Sequence, residues 1–536
     1  MSEITRREFI KGAAVTTAAV AGASALAGCA PAPAPAPGIP EKWDKEVDVV
    51  VVGTGHAGLA TAIAAHDAGA EVLVLEKMPK EFEGGNSKVS GNMWWTPTNV
   101  PEAVEYIDAM SYGLTDRESI QALAEEMIQI NDWLQEFGIE PTSLSPLFEP
   151  EHPDLPGSGS VRTWSNGGMA AIAQGGGLWA PIREAVEDRE IQVMYETPAK
   201  ELVQNAAREI IGVIAESGGN DIAIKSKKAV VLACGGFEFD FEIQSQFLPG
   251  WPIYSRGTPG NTGDGIKMAQ KAGAALWHMN NALGDLGAIV VPEFEPVPIP
   301  IGFPTNGFIF VNKLGRRFMN ENRESRHGFG HKEYLMQFDG IEGDFLSLPC
   351  YAIFDETTRL AGPLLGMAGW RFGWFNWYSG YEWSQDNSAE IEKGWIKKAD
   401  NVGALATQLG MEPAELEETI STYNGYCEAQ VDPDFGRPEI APALLGPPMP
   451  ALVPLVAPPY YAVELYPNMY NTQGGPRRNG KCEIVDPYGE PIPRLYSAGE
   501  LGSFWGWMYN GGGNNCECLC TGRIAGGNAA AEDPWG

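Results

Sequence analysis

The sequence predicts an α/β protein built on a Rossmann-like nucleotide-binding domain. Three stretches carry that prediction. EVDVVVVGTGHAGLATAIAAHDAGAEVLVLEK spans residues 46–77, KAVVLACGGFEFD spans 228–240 and PIPRLYSAGELGS spans 491–503. The first two contain an apolar run of strand length that ends at glycine, and the third reads as a strand that reaches Gly499. Buried parallel strands have this pattern where they turn toward a ligand.

The 46–77 stretch reads as a buried strand, a glycine turn, an alanine-rich helix and a second strand. Gly53, Gly55 and Gly58 form the GxGxxG turn. They allow a tight bend and close backbone approach, and the following helix N-terminus favours a pyrophosphate. Glu76, 18 residues after Gly58, ends the second strand and can accept hydrogen bonds from ribose hydroxyls. The whole strand–turn–helix–strand–Glu unit, rather than the glycines alone, identifies a dinucleotide site. EGGNSKVSGN (83–92) follows as a second polar loop, and GNTGDGIKMAQKAGA (260–274) opens a helix at Gly263-Asp264-Gly265.

A chain of 536 residues has room for two or three domains. Its net charge of −32 argues against nucleic acid and against an anionic membrane surface as partners. After residue 30 no run reaches the roughly 20 apolar residues that a bilayer span needs. The start is different. TRREFIKGAAV places Arg6 and Arg7 before a weakly apolar Ala-rich stretch that ends in LAGC at Cys29. This resembles a twin-arginine export signal joined to a lipoprotein cleavage box. Residues 1–29 are therefore expected to be a signal, and 30–45 a stiff Pro/Ala linker from a lipid-bearing Cys29. The expected location is extracytoplasmic and membrane-anchored.

Seven other cysteines are scattered along the chain, without the spacing of a small disulfide scaffold. No CxxCH occurs, so no c-type haem attaches to this chain. Cys516, Cys518 and Cys520 stand in CECLC. On a helix Cys516 and Cys520 share a face and Cys518 points away. Such dense thiols, with another cysteine, could hold an iron–sulfur cluster, or they could pack as core residues.

In this order, the motifs resemble the superfamily of FAD-dependent fumarate reductases and 3-ketosteroid dehydrogenases. The resemblance covers about residues 46–536. It implies a discontinuous FAD-binding domain, 46–283 and 458–536, with an inserted α+β substrate-capping domain, 284–457. It assigns FAD contacts to Gly53, Gly55, Gly58, Glu76, Gly85, Asn86, Ser87, Gly91, Ala199, Asp264 and Glu500. No histidine lies in 83–92, so the FAD is expected to be non-covalent.

The substrate motifs depart from the fumarate pattern. GRRFMNENRESRHG has Ser325 where that pattern has its acid arginine, and Arg326 one place later is the candidate acid. MYNTQGGP has Asn471, with Tyr470 beside it, where the pattern has a histidine. Tyr509 stands where the carboxylate-clamping arginine would be, which removes a bidentate partner for a carboxylate. YNGGG instead resembles the ketosteroid motif in which a tyrosine hydroxyl and a glycine N–H polarise a carbonyl, here Tyr509 and Gly513. FWGWMYNGGGNN (504–515) is then expected to floor a pocket for a flat, neutral, largely apolar molecule.

The resemblance thus implies reduction of a C=C bond in a steroid-like enone or an unsaturated lactone such as a cardenolide. Electrons would come from a separate, membrane-anchored c-type cytochrome. The alternatives are a 3-ketosteroid Δ1-dehydrogenase, a fumarate- or urocanate-type acid reductase, and a non-catalytic FAD electron-relay protein.

Overall fold

Four parallel strands form the centre of the larger sheet in the computed structural model. Their order runs Pro491–Ser497, Asn220–Leu232, Lys45–Val52, Val72–Leu75, and Gln192–Met194 extends the row on the far side. The antiparallel strand Glu483–Val485 closes one edge. The strands Ala199–Gln204 and Ile210–Ser217 add an antiparallel extension to Asn220–Leu232. Residues such as Val49, Val51, Leu73 and Val231 are fully buried, as expected of strands covered on both faces. The structure describes residues 38–147, 149–322, 337–366, 369–438, 440–441 and 449–535. Arg6, Arg7, Cys29 and the candidate acid Arg326 therefore lie outside the described residues. Among those residues no helix is long and apolar enough to cross a membrane.

The first helix, His56–Asp67, and the last, Gly513–Ala531, pack together on one face of this sheet. Glycines set how closely they meet. A Cβ on Gly522 would lie 2.5 Å from the Ala57 carbonyl oxygen, and one on Gly526 would lie 2.4 Å from that of Thr61. This close approach carries the CECLC segment to the mouth of the nucleotide turn.

A second sheet is antiparallel along most of its length, and the long strand Tyr460–Thr472 is its spine. That strand pairs with Ala282–Ile289, Cys350–Asp355 and Lys397–Ala399, and in parallel with the short strand Tyr254–Ser255. Phe308–Val311 adds the outer strand beyond Cys350–Asp355. One sheet thus draws strands from both sides of position 457, and the protein from Ile39 onward is one compact unit.

Candidate active site

The nucleotide cavity lies where the parallel strands end. Gly53 follows Val52, Glu76 follows Leu75, Cys234 follows Ala233, and Glu500 lies just beyond Ser497; all four residues line one cavity of about 770 Å³. Open α/β sheets bind ligands at these carboxyl ends because crossovers leave a crevice there. Gly53 holds φ +110° under the Ala233 carbonyl, where a Cβ would come within 2.5 Å.

Glu76 is nearly buried. Its Oε2 accepts from the Thr54 amide (3.2 Å) and the Thr54 hydroxyl, and its Oε1 accepts from the Met78 amide (2.8 Å). Burial pushes its carboxyl upward, and these donors pull it back. A carboxylate has further lone pairs, so Glu76 can still take ribose hydroxyls. Asp264 is held by Lys77 Nζ at 2.7 Å and accepts from the Thr262 hydroxyl at 3.0 Å.

The structure brings Gly53, Gly55, Glu76, Gly85, Asn86, Ser87, Ala199, Asp264 and Glu500 together around this cavity. Two expected contacts are elsewhere. Gly58 is packed under the turn, where a Cβ would meet the Gly53 carbonyl oxygen at 2.0 Å, so it shapes the turn rather than lining it. Gly91 lines a neighbouring cavity beside the Phe372 ring. His56, within the glycine turn, is a lining residue that motif reading overlooked. Its Nδ1 meets Asn515 Oδ1 at 3.2 Å, its buried Nε2 has no partner among the described residues, and burial lowers its pKa to about 4.

The neighbouring cavity, about 760 Å³, shares Asn86, Ser87, Glu500 and Cys518 with the first. Asn86 is the party wall. Its Nδ2 donates to Glu238 Oε1 at 3.1 Å and to Glu500 Oε2 at 3.2 Å, while its Oδ1 accepts from the Thr258 amide at 2.8 Å. Glu238 also accepts from the Thr472 amide at 3.1 Å. Burial pushes the Glu238 carboxyl up to about 7. Glu500 is raised too, by burial first and by the neighbouring Glu238 second.

Tyr470, Asn471 and Tyr509 all line this second cavity. Tyr509 is buried, which holds its phenol well above its usual pKa and therefore as a donor. Asn471 Oδ1 accepts from Asn514 Nδ2 at 3.1 Å, and Asn514 Oδ1 accepts from Gln473 Nε2 at 3.0 Å. Tyr470 donates its hydroxyl to Asp285 and presents its ring to the cavity side.

Three expectations change here. Gly513 is not an available donor, because its N–H closes a turn onto the Asn510 carbonyl at 2.8 Å; Gly512 lines the cavity instead. Trp505 is a core residue against Trp95, with ring centroids 6.2 Å apart, so Tyr509 rather than the tryptophan reaches the cavity. The three thiols are not gathered. Cys516 and Cys520 lie 3.8 Å apart on one helix face, while Cys518 faces both cavities. Among the described residues no group of three His, Cys, Asp or Glu side chains is placed to hold a metal, so the cluster expectation finds no ligand set.

The second cavity also contains a cation that no motif announced. Arg256 lines it, with its guanidinium carbon 3.8 Å from the Tyr470 ring centroid and 4.3 Å from that of Phe372. The arginine missing at position 509 does not leave the pocket without positive charge.

A glycine-stripped cradle, the buried Glu76 carboxylate and a His56 Nε2 without a partner among the described residues fit FAD, and a second cavity adjoins this one at Asn86 and Glu500. These features define a flavin-dependent oxidoreductase. The chain belongs to the FAD binding domain family, whose model matches residues 48–516. It is 28% identical to digoxin reductase of Eggerthella lenta, over 99% of this chain and 97% of that protein. It is also 28% identical to fumarate reductase (cytochrome) of Shewanella frigidimarina, over 90% of this chain and 77% of that one. Among solved structures, 3-ketosteroid Δ1-dehydrogenase from Sterolibacterium denitrificans, in complex with 1,4-androstadiene-3,17-dione, shares the fold with a TM-score of 0.73. That likeness covers 91% of this chain and all of the other, at 22% identity. The chain is an FAD-dependent oxidoreductase acting on CH–CH groups.

Proposed function

We propose that this protein reduces an electron-poor C=C bond conjugated to a carbonyl. The observation that carries this reading is the second cavity, which adjoins the cofactor cavity at the shared residues Asn86 and Glu500 and has Tyr509 in its wall. When bound, FAD supplies the redox chemistry, accepting electrons from a donor and delivering a hydride. The protein's part is to orient the substrate, polarise it and supply a proton. Tyr509, kept protonated by burial, donates to the carbonyl oxygen, where negative charge grows as the bond is reduced. Arg326 remains the proposed proton donor to the neighbouring carbon. The likeness to digoxin reductase supports an unsaturated lactone among the substrates, and that to fumarate reductase (cytochrome) supports a cytochrome as electron source. The Arg6-Arg7 segment and Cys29 support export and lipid anchoring outside the cytoplasm.

Tyr509→Phe tests the assignment because it keeps the ring and removes only the hydroxyl. Anaerobic turnover of the FAD-loaded protein with unsaturated lactones, enones and acids should fall about 10²-fold, as for loss of one oxyanion donor. Flavin reduction by an artificial donor should not change. Unaltered turnover in this variant would remove Tyr509 from the reaction. Flavin reduction by a saturated 3-ketosteroid would instead favour dehydrogenation.

A further inference from the structure

We propose that Arg256 anchors a single carboxylate on the substrate, so that this site takes flat unsaturated monocarboxylic acids. The proposal rests on the reductase reading and names its substrate class.

Arg256 is positioned by backbone contacts from two distant segments. It follows the short strand Tyr254–Ser255, which pairs with Asn468–Met469. Its amide donates to the Met469 carbonyl at 3.1 Å, and its own carbonyl accepts from the Trp374 amide at 2.7 Å. The side chain is then held between the Tyr470 and Phe372 rings. The guanidinium forms a long ion pair with Asp285 Oδ2 at 3.9 Å, beyond hydrogen-bond range, and among the described residues none of its N–H groups has a hydrogen-bond acceptor. Asp285 is itself half-exposed and takes the Tyr470 hydroxyl.

A guanidinium has five donors in a planar fork that matches a carboxylate. Burial lowers the Arg256 pKa only to about 10, so the group stays charged at neutral pH. Among the described residues lining this cavity Arg256 is the one cation, and Glu500 the one acid. Burial raises the Glu500 carboxyl toward its neutral form, which limits its repulsion of an incoming anion. One anchor suits one carboxylate. Val89, Met93, Phe372 and the two tyrosine rings provide apolar surface for a flat body. A dicarboxylate would leave its second charge facing Tyr509, where the fumarate pattern has an arginine.

The decisive experiment uses a charged and neutral pair, cinnamate and methyl cinnamate, with anaerobically reduced, FAD-loaded wild type, Arg256→Met and Arg256→Lys. The methionine retains most of the stem's packing. The expected result is a loss of about 10²-fold in kcat/KM for cinnamate in Arg256→Met, as when one partner of a buried charge pair is truncated, with partial recovery in Arg256→Lys. Methyl cinnamate, whose ester carbonyl can accept a hydrogen bond but carries no charge, should lose at least about tenfold less than the acid. Equal loss for acid and ester would make Arg256 a packing residue and overturn the proposal, as would no loss for either. If neither compound reoxidises the flavin, the reductase reading fails for this class, and binding decides the anchor separately. In that case 3-phenylpropanoate should perturb the flavin spectrum of wild type but not of Arg256→Met. Perturbation of both, or of neither, would overturn the anchor.

Discussion

Arg437 and Arg256 are both arginines held against aromatic rings, yet their surroundings are opposite. Arg437, in the region of the antiparallel sheet, is 2% exposed and its fork is fully used. It donates to the Phe308 carbonyl at 2.8 Å, the Asn306 carbonyl at 2.7 Å, the Tyr423 hydroxyl at 3.0 Å, and the Asn322 side chain. Glu321 lies 3.4 Å away and shares Arg317 with Asp432. Arg256 has two rings, a long ion pair with Asp285 at 3.9 Å and, among the described residues, no hydrogen-bonded acceptor. A buried charge saturated by protein oxygens ties segments together. A buried charge without them is a standing cost, which a bound ligand can offset.

This contrast can be broken by stability measurements. The largest effect should come from Arg437→Met, which leaves two carbonyls and the buried Glu321 short of a partner. Chemical denaturation of the FAD-loaded protein should show a loss of about 3–5 kcal/mol. An unchanged midpoint would mean that the network is not structural. A smaller effect should come from Glu238→Gln in the flavin-free protein. Burial pushes Glu238 to about 7, above the ordinary carboxyl value of 4.5, so the folded state binds its proton more tightly than the unfolded state does. Stability should therefore fall as pH rises from about 4.5 to about 7, and the variant should flatten that slope. An identical slope in both proteins would assign the pH dependence elsewhere. The smallest effect should come from Arg256→Met. It loses cation–π contacts but also the cost of burying the charge, so ligand-free stability should move by no more than about 1 kcal/mol. A loss as large as that of Arg437→Met would erase the distinction between the two arginines.

The cofactor cavity was legible in the sequence because it is made of backbone. Gly53, Gly55 and Glu76 occupy a short continuous unit, and the other strand ends announce themselves by apolar runs that stop at glycine. Local chemistry sets their positions. The thiols followed helical spacing for the same reason, with Cys516 and Cys520 on one face and Cys518 apart. The second cavity is made of side chains from separate segments, and only some carried a motif. Tyr509 and Asn471 could be counted from neighbouring glycines. Arg256 could not, because its place depends on strand pairing with Asn468–Met469 and on the Trp374 amide. The Gly513 N–H is taken by a turn onto the Asn510 carbonyl, which a glycine motif does not reveal.

The strand Tyr460–Thr472 links the strands of the second sheet to the site. Its first half is laddered to Cys350–Asp355 and Lys397–Ala399, and its last residues are Tyr470, Asn471 and Thr472 at the site. A hinge at position 457 could not swing Cys350–Asp355 and Lys397–Ala399 freely, because this ribbon would travel with them. Flexion has softer places, at the register slips opposite Leu283–Gly284 and Leu286–Ala288. A sliding motion there would move the Tyr470 ring, and the guanidinium lying over it, along the strand axis. The position of those strands and that of Arg256 would then be geared together, like a drawer and its catch.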